Sequence, residues 1–277
     1  MKLFLNKKHI VLTALVTPFK DNLNIDYVSL KKLVDHQLQY SIDGLVVLGT
    51  TGESPTILKD EREFIINAVK NNSKGRCPVI VGTGTNSTYQ TIEWTNQAQS
   101  LGADAALIVT PYYNNPSNEE IYEHYKMIAT KTQFPFILYH VPKRTGSCLN
   151  QTTINKILNL EYCVGFKDAT SNAEMIKTYP SHLYYFDGDD LNASYYCKHG
   201  GNGVISVVSN AYPKQMKDYL ECHSEKLEST INSLSCHVNP VPIKALLKMI
   251  NLIESDITRP PLKQLNEHQK KSLKHII

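Results

Sequence analysis

A chain of 277 residues suits one large domain or two small ones, and 42% hydrophobic residues can fill a sizeable core. Twenty-nine basic against 26 acidic residues leave a net charge of +3, which argues against nucleic acid or an anionic membrane surface as the main partner. The six cysteines, Cys77, Cys148, Cys163, Cys197, Cys222 and Cys236, form no C-x-x-C pair. Their scatter suggests neither a zinc site nor a disulfide framework and fits reduced thiols in a cytosolic protein.

The N-terminus, Met1 to Lys8, carries charge where a signal peptide needs an apolar core. The apolar stretch His9–Val16 is too short to cross a membrane and runs into Thr17-Pro18. The expectation is a soluble, cytoplasmic protein. Short runs rich in β-branched residues then alternate with longer segments of helical period. The predicted strands are Ile10–Val16, Gly44–Leu48, Pro78–Val81, Ala105–Val109, Phe136–Tyr139, Cys163–Phe166, Tyr184–Phe186 and Gly203–Val207. Predicted helices are Tyr27–Gln39, with Leu30, Val34 and Leu38 on one face, then Lys59–Asn71, Ser87–Ser100, Asn118–Thr130, Thr152–Leu158 and Ala173–Thr178.

The strands are apolar throughout rather than alternating, as expected when both sheet faces are covered. Eight β-then-α units predict an α/β fold, a (β/α)8 barrel over residues 1–212, with a C-terminal helical region over 213–277. An open doubly wound sheet is the alternative, but no G-x-G-x-x-G follows the first strand. In a barrel the active site is built at the C-terminal ends of the strands.

Those ends are unusual. Strand two ends in Gly49-Thr50-Thr51-Gly52-Glu53-Ser54, which fits either a carboxylate cradle or an ordinary Gly-rich turn with a helix cap. Strand four ends in Thr110-Pro111-Tyr112-Tyr113-Asn114, where adjacent tyrosines of an extended segment face opposite ways. Strand five ends in Tyr139-His140-Val141-Pro142-Lys143-Arg144: a tyrosine that can relay protons, an arginine that can grip a carboxylate or make a surface salt bridge, and a histidine that is either a base or a packed residue. Strand six ends in Lys167. A lysine at the end of an apolar strand is either surfacing or reacting, because a desolvated amine can attack a carbonyl and form a Schiff base. Strand seven ends in Asp187-Gly188-Asp189-Asp190, which fits a divalent-metal site or a helix cap. At strand eight, Gly200-Gly201-Asn202-Gly203 would let backbone approach a ligand.

Together, Gly49-Thr50-Thr51-Gly52-Glu53-Ser54, Tyr139-x-Val141-Pro142-x-Arg144-Thr145-Gly146, Gly165-Phe166-Lys167-Asp168-Ala169-Thr170 and Gly201-x-Gly203-Val204-Ile205-Ser206 resemble the pyruvate-dependent class I aldolase family, which includes N-acetylneuraminate lyase. The resemblance spans essentially the whole chain. Arg144 and Thr110-Pro111-Tyr112-Tyr113-Asn114 resemble the branch that condenses pyruvate with L-aspartate 4-semialdehyde to 4-hydroxy-tetrahydrodipicolinate, the first committed step of diaminopimelate and lysine biosynthesis.

The resemblance implies an imine between Lys167 and pyruvate, proton transfer by Tyr139 with Thr50 and Tyr113, and Tyr113 donated by a neighbouring subunit. It further implies pyruvate-carboxylate contacts from Thr51 and the backbone near Ile205, a semialdehyde contact from Arg144, and a pocket floor shaped by Gly188. It implies no metal or organic cofactor and a homodimer or homotetramer, and it makes the Asp187–Asp190 cluster structural. Ser54, Asn86 and Tyr112 match the family's lysine feedback site, but Lys59, Arg62 and Gln90 stand where sensitive members commonly carry His, His and Glu. Losing a carboxylate there and gaining two cations predicts weak or absent inhibition by L-lysine. His140 and Lys143 depart from the usual pattern around the proline. The competing readings are an aldolase of the same family acting on a 2-keto-3-deoxy sugar acid, and a non-catalytic small-molecule sensor on the same scaffold.

Overall fold

Side chains alternate across each strand, and in this chain both sets are apolar, so the sheet buries two faces. The computed structural model, which describes Phe4 and residues 7–222 and 224–273, closes that sheet on itself. The strands are β1 (Ile10–Ala14), β2 (Gly44–Val47), β3 (Val79–Gly82), β4 (Ala105–Val109), β5 (Phe136–His140), β6 (Cys163–Asp168), β7 (Tyr184–Asp187) and β8 (Gly203–Ser206). All are parallel and pair in sequence order, and Ile10 to Thr13 on β1 pair with Gly203 to Ser206 on β8 to complete the ring. This is the expected (β/α)8 barrel.

Inward residues form the inner core, among them Leu12, Val46, Ile80, Leu107, Ile137, Phe186 and Ile205. Their outward neighbours Val11, Val47, Val81, Ile108, Leu138, Tyr185 and Val204 pack against the helices. The helices are α1 (Tyr27–Gln39), α2 (Lys59–Ser73), α3 (Thr88–Ser100), α4 (Asn118–Thr132), α5 (Pro142–Thr145), α6 (Gln151–Leu158), α7 (Ala193–Lys198), α8 (Pro213–Glu221), α9 (Glu225–Ser233), α10 (Val241–Met249) and α11 (Glu267–Leu273). Asp26 caps α1 by accepting from the Val28 and Ser29 amides, and Ser117 with Glu120 forms a capping box on α4. The helix α8 packs against β1 and α7. The expected C-terminal helical region carries α8 to α11, while its residues 223 and 274–277 lie outside the described ones.

Several boundaries differ from expectation. The first strand stops at Ala14, before Leu15 and Val16, and the third begins at Val79 because Pro78 has no N–H to place in the ladder. The sixth strand runs on to Asp168, so Lys167 lies within the ladder instead of just beyond it. The segment Ala173–Thr178 is a 3-10 helix. Both α5 and α7 were unforeseen: they have four and six residues, too few to display a helical period.

Candidate active site

On β5 the period of two sends Tyr139 inward and His140 outward. On β6 it sends Lys167 inward and Asp168 outward. Tyr139 and Lys167 are register partners on adjacent strands, as are His140 and Asp168. The inward pair is nearly buried, and Lys167 Nζ lies 4.4 Å from the centre of the Tyr139 ring. Both side chains line a cavity of about 330 Å3 at the C-terminal mouth, together with Thr50, Thr51, Arg144 and Gly188. A second cleft of about 530 Å3 shares Thr50, Tyr139 and Arg144 and extends outward past Ser54, Asn86 and Trp94.

The threonine loop is held from several directions. Glu53 N donates to Thr50 O at 3.1 Å and Gly52 N to Gly49 O at 3.1 Å, while the Thr17 hydroxyl donates to Gly52 O at 2.8 Å. Thr51 is buried, and its Oγ1 accepts from Asn239 Nδ2 at 2.9 Å. Arg144 stands on α5, with Pro142 at its first turn and Gly146, at φ +73°, ending it. The exposed guanidinium reaches the Asn239 carbonyl at 3.5 Å through Nη2. Gly188 is required by close approach, because a Cβ there would lie 2.8 Å from Ala169 Cβ and 3.0 Å from its Cα. Ile205 is buried in the inner layer of β8.

Tyr113 stands apart from the other candidates. It is 92% exposed and lines neither cavity of its own chain. Its φ of +73° also breaks the extended segment expected at Tyr112-Tyr113. His140 is not at the mouth: its Nε2 accepts from Leu149 N at 3.2 Å on the outer face, and burial lowers its pKa with Asp168 opposing. Lys143 is exposed and lines the smaller cavity.

Acids around the lysine fasten loops: Asp168 and Asp187 from the outer face, Asp190 from the cavity edge. Asp168 accepts from Thr170 N and the Thr170 hydroxyl at 2.8 and 2.7 Å and from Asn172 N at 3.2 Å. Asp190 accepts from Val207 N and Val208 N, tying the loop after β7 to the end of β8. Asp187 accepts from the Ser171 hydroxyl and Asp189 N, and burial pushes its carboxyl up to about 7. Among the described residues, no three His, Cys, Asp or Glu side chains stand where they could hold a metal ion. None of their helices is long and apolar enough to cross a membrane.

Around the outer cleft, Arg62 is buried and stacks its guanidinium 3.8 Å from the centre of the Trp94 ring while donating to Ser54 Oγ and Gly82 O. Lys59 is paired with Glu93, to which Gln90 Nε2 also donates. A carboxylate thus stands one helical turn beyond Gln90 and offsets part of the cationic character expected there. Sequence reasoning missed Asn239. It lies in the Pro-rich turn Asn239-Pro240-Val241-Pro242, far from any strand end, and strand-end logic could not reach it.

A closed (β/α)8 barrel that holds a lysine over a tyrosine at its C-terminal mouth has the layout of a barrel aldolase. The chain matches the model of the Dihydrodipicolinate synthetase family over residues 7–277. It is 43% identical over 268 residues to the 4-hydroxy-tetrahydrodipicolinate synthase of Coxiella burnetii, a match covering 92% of each chain. Its backbone is similar to that of the dihydrodipicolinate synthase of Thermotoga maritima, with a TM-score of 0.92 at 38% identity over 98% of each chain. It is equally similar, with a TM-score of 0.92 at 36% identity over 97% of each chain, to the chloride-inhibited dihydrodipicolinate synthase of Acinetobacter baumannii, solved in complex with pyruvate. The chain belongs to the Dihydrodipicolinate synthetase family.

Proposed function

We propose that this chain condenses pyruvate with L-aspartate 4-semialdehyde to give 4-hydroxy-tetrahydrodipicolinate, entering diaminopimelate and lysine biosynthesis. The observation that carries this reading is the Lys167–Tyr139 pair on adjacent strands, facing a cavity that also holds Thr50, Thr51 and Arg144. The names of the relatives support it.

Lys167 Nζ attacks the ketone carbon of pyruvate and water leaves as the imine forms. The protonated imine draws electrons from the methyl carbon, which gives up a proton and becomes the enamine nucleophile. That carbon bonds to the aldehyde carbon of the semialdehyde, whose oxygen takes a proton and becomes the 4-hydroxyl. The α-amino group of the bound semialdehyde then attacks the imine carbon, closing the ring and returning Lys167 as an amine. The imine itself is the electron sink, and the reading invokes no separate cofactor.

Tyr139 moves the protons, through Thr50 and through Tyr113 of a second copy of the chain. Exposure of Tyr113 in its own chain supports that assignment. A dimer is then the smallest competent unit, with a tetramer of two such dimers as the expected assembly. Thr51 and the backbone near Ile205 hold the pyruvate carboxylate, Gly188 shapes the floor, and Arg144 receives the semialdehyde carboxylate. The scatter of the six cysteines, with no C-x-x-C pair, supports placement in the cytoplasm.

Borohydride reduction with pyruvate, followed by peptide mapping, tests the reading. A pyruvate-sized adduct on Lys167, with turnover of aspartate semialdehyde, is the expected result. Folded protein with saturating pyruvate and no adduct overturns it; an adduct with turnover of a keto-deoxy sugar acid alone would replace the acceptor.

A further inference from the structure

Leu48 and Glu53 stand at the two ends of the loop that carries Thr50 and Thr51, with φ of +56° and +57°. Residues with a side chain avoid the left-handed region, and such a conformation persists only where its surroundings over-determine it. At the first end the constraint is backbone contact: a Cβ on Gly82 would lie 2.1 Å from Leu48 O. At the second end it is an ion pair. Glu53 Oε1 accepts from Lys244 Nζ at 2.5 Å and Oε2 accepts from Arg259 N at 2.9 Å.

Lys244 lies in α10, fully buried, and Glu53 is 3% exposed. The ammonium also donates to Ile257 O at 2.7 Å and lies 4.1 Å from the centre of the Phe19 ring. A buried charge is retained at a cost in desolvation, so a fully buried pair is weak grounds for stability and better grounds for fixing one arrangement. What it fixes here is the exit of the threonine loop. The turn leading into the same helix supplies Asn239, which donates to Thr51 Oγ1. Two anchors from one distant stretch of chain therefore converge on one loop.

We propose that Glu53 and Lys244 are positioning residues for pyruvate: the buried pair sets the exit of the threonine loop so that Thr51 faces the bound keto acid. The inference rests on the reading of Thr51 as a contact of the pyruvate carboxylate.

Steady-state kinetics of Lys244→Met and Glu53→Gln, with thermal melts to establish folding, provide the test. Lys244→Met raises KM for pyruvate roughly tenfold, the scale of one lost charge-assisted hydrogen bond, with kcat and KM for the semialdehyde within a factor of about three. Glu53→Gln keeps an acceptor for Arg259 N and gives a smaller rise of the same kind. Lys248→Met, on the same helix but paired with Asp256, is the control and leaves KM for pyruvate unchanged. Borohydride still traps pyruvate on Lys167 in all three. A merely structural pair would lower the melting temperature and the active fraction without moving KM for pyruvate, and that result overturns the proposal. If Lys244→Met does not fold, Glu53→Gln decides on the same readout. Thr51→Val separates the two levels. If it raises KM for pyruvate while the pair variants do not, the positioning proposal alone fails. If it leaves KM unchanged, the reading of Thr51 falls and the proposal with it.

Discussion

Asp187→Asn isolates a pH dependence of stability that the barrel carries just behind its lysine. The carboxyl rises from 3.8 to about 7, chiefly through burial. The Asp189 amide and the Ser171 hydroxyl oppose the rise; the charges of Asp189 and Asp168 add to it. Its Oδ2 is buried and without a hydrogen-bond partner among the described residues. Because the folded value lies above the unfolded one, the native state binds more protons across the interval between them. The stability this confers is complete below pH of about 4 and is lost as pH climbs through about 7. At 1.36 kcal/mol per pH unit, the wild type should lose about 3 kcal/mol relative to Asp187→Asn between pH 4.5 and pH 8. The asparagine Oδ1 can accept the two bonds that Oδ1 now accepts, so the comparison changes charge more than shape. Urea titrations at pH 4.5, 6 and 8, followed by the fluorescence of the single tryptophan, Trp94, give the difference curve. Repeating them at two protein concentrations separates unfolding from dissociation. A stability difference that stays flat within about 0.5 kcal/mol across that range refutes the reasoning.

Tyr113→Phe is expected to cut turnover by about 100-fold or more while borohydride still traps pyruvate on Lys167, since a general acid–base group contributes on that scale; wild-type turnover removes it from the relay. Arg144→Ala should raise KM for aspartate semialdehyde about tenfold or more and leave KM for pyruvate within a factor of two, because its guanidinium is assigned to one substrate only. Equal rises in both would move Arg144 to a shared role. L-lysine should inhibit weakly or not at all, because the Arg62 guanidinium, stacked on Trp94, sits beside the cleft where an ammonium would bind. An inhibition constant in the low micromolar range would show that Glu93 replaces the carboxylate absent at Gln90.

The parts of the site that lie on strands were legible because parity is rigid. Once Tyr139 and Lys167 are placed on neighbouring parallel strands, a period of two and a fixed register bring them to one face. The same parity settles His140, which its neighbours in sequence made tempting and which its position sends to the outer face, against Leu149. What the sequence concealed lies where no period operates. Asn239 touches Thr51 across 188 positions of chain. The short helix α7 reads Ala-Ser-Tyr-Tyr-Cys-Lys, six residues in which burial against β7 and β8 outweighs propensity. Tyr113 presents the converse case: its likeness to a family motif is plain, yet one chain alone leaves it on the surface.

The placement of the acids completes the argument about Lys167. Asp168 and Asp187 are register partners on the outer face, immediately beside the inward pair of Lys167 and Phe186. Outward carboxylates are screened from the cavity by the strands themselves, so they do not serve as counterions within the cavity that Lys167 lines. Their hydrogen bonds run instead to Thr170 and Asn172 after β6 and to Ser171 and Asp189 around β7. Those loops carry Ala169 and Gly188, which meet closely at the cavity wall. Asp168 and Asp187 thus fasten the wall from behind, while Asp189 and Asp190 line the cavity itself. The cost of that arrangement is the burial that raises Asp187, and for that reason its titration reports on the architecture of the site from outside the cavity.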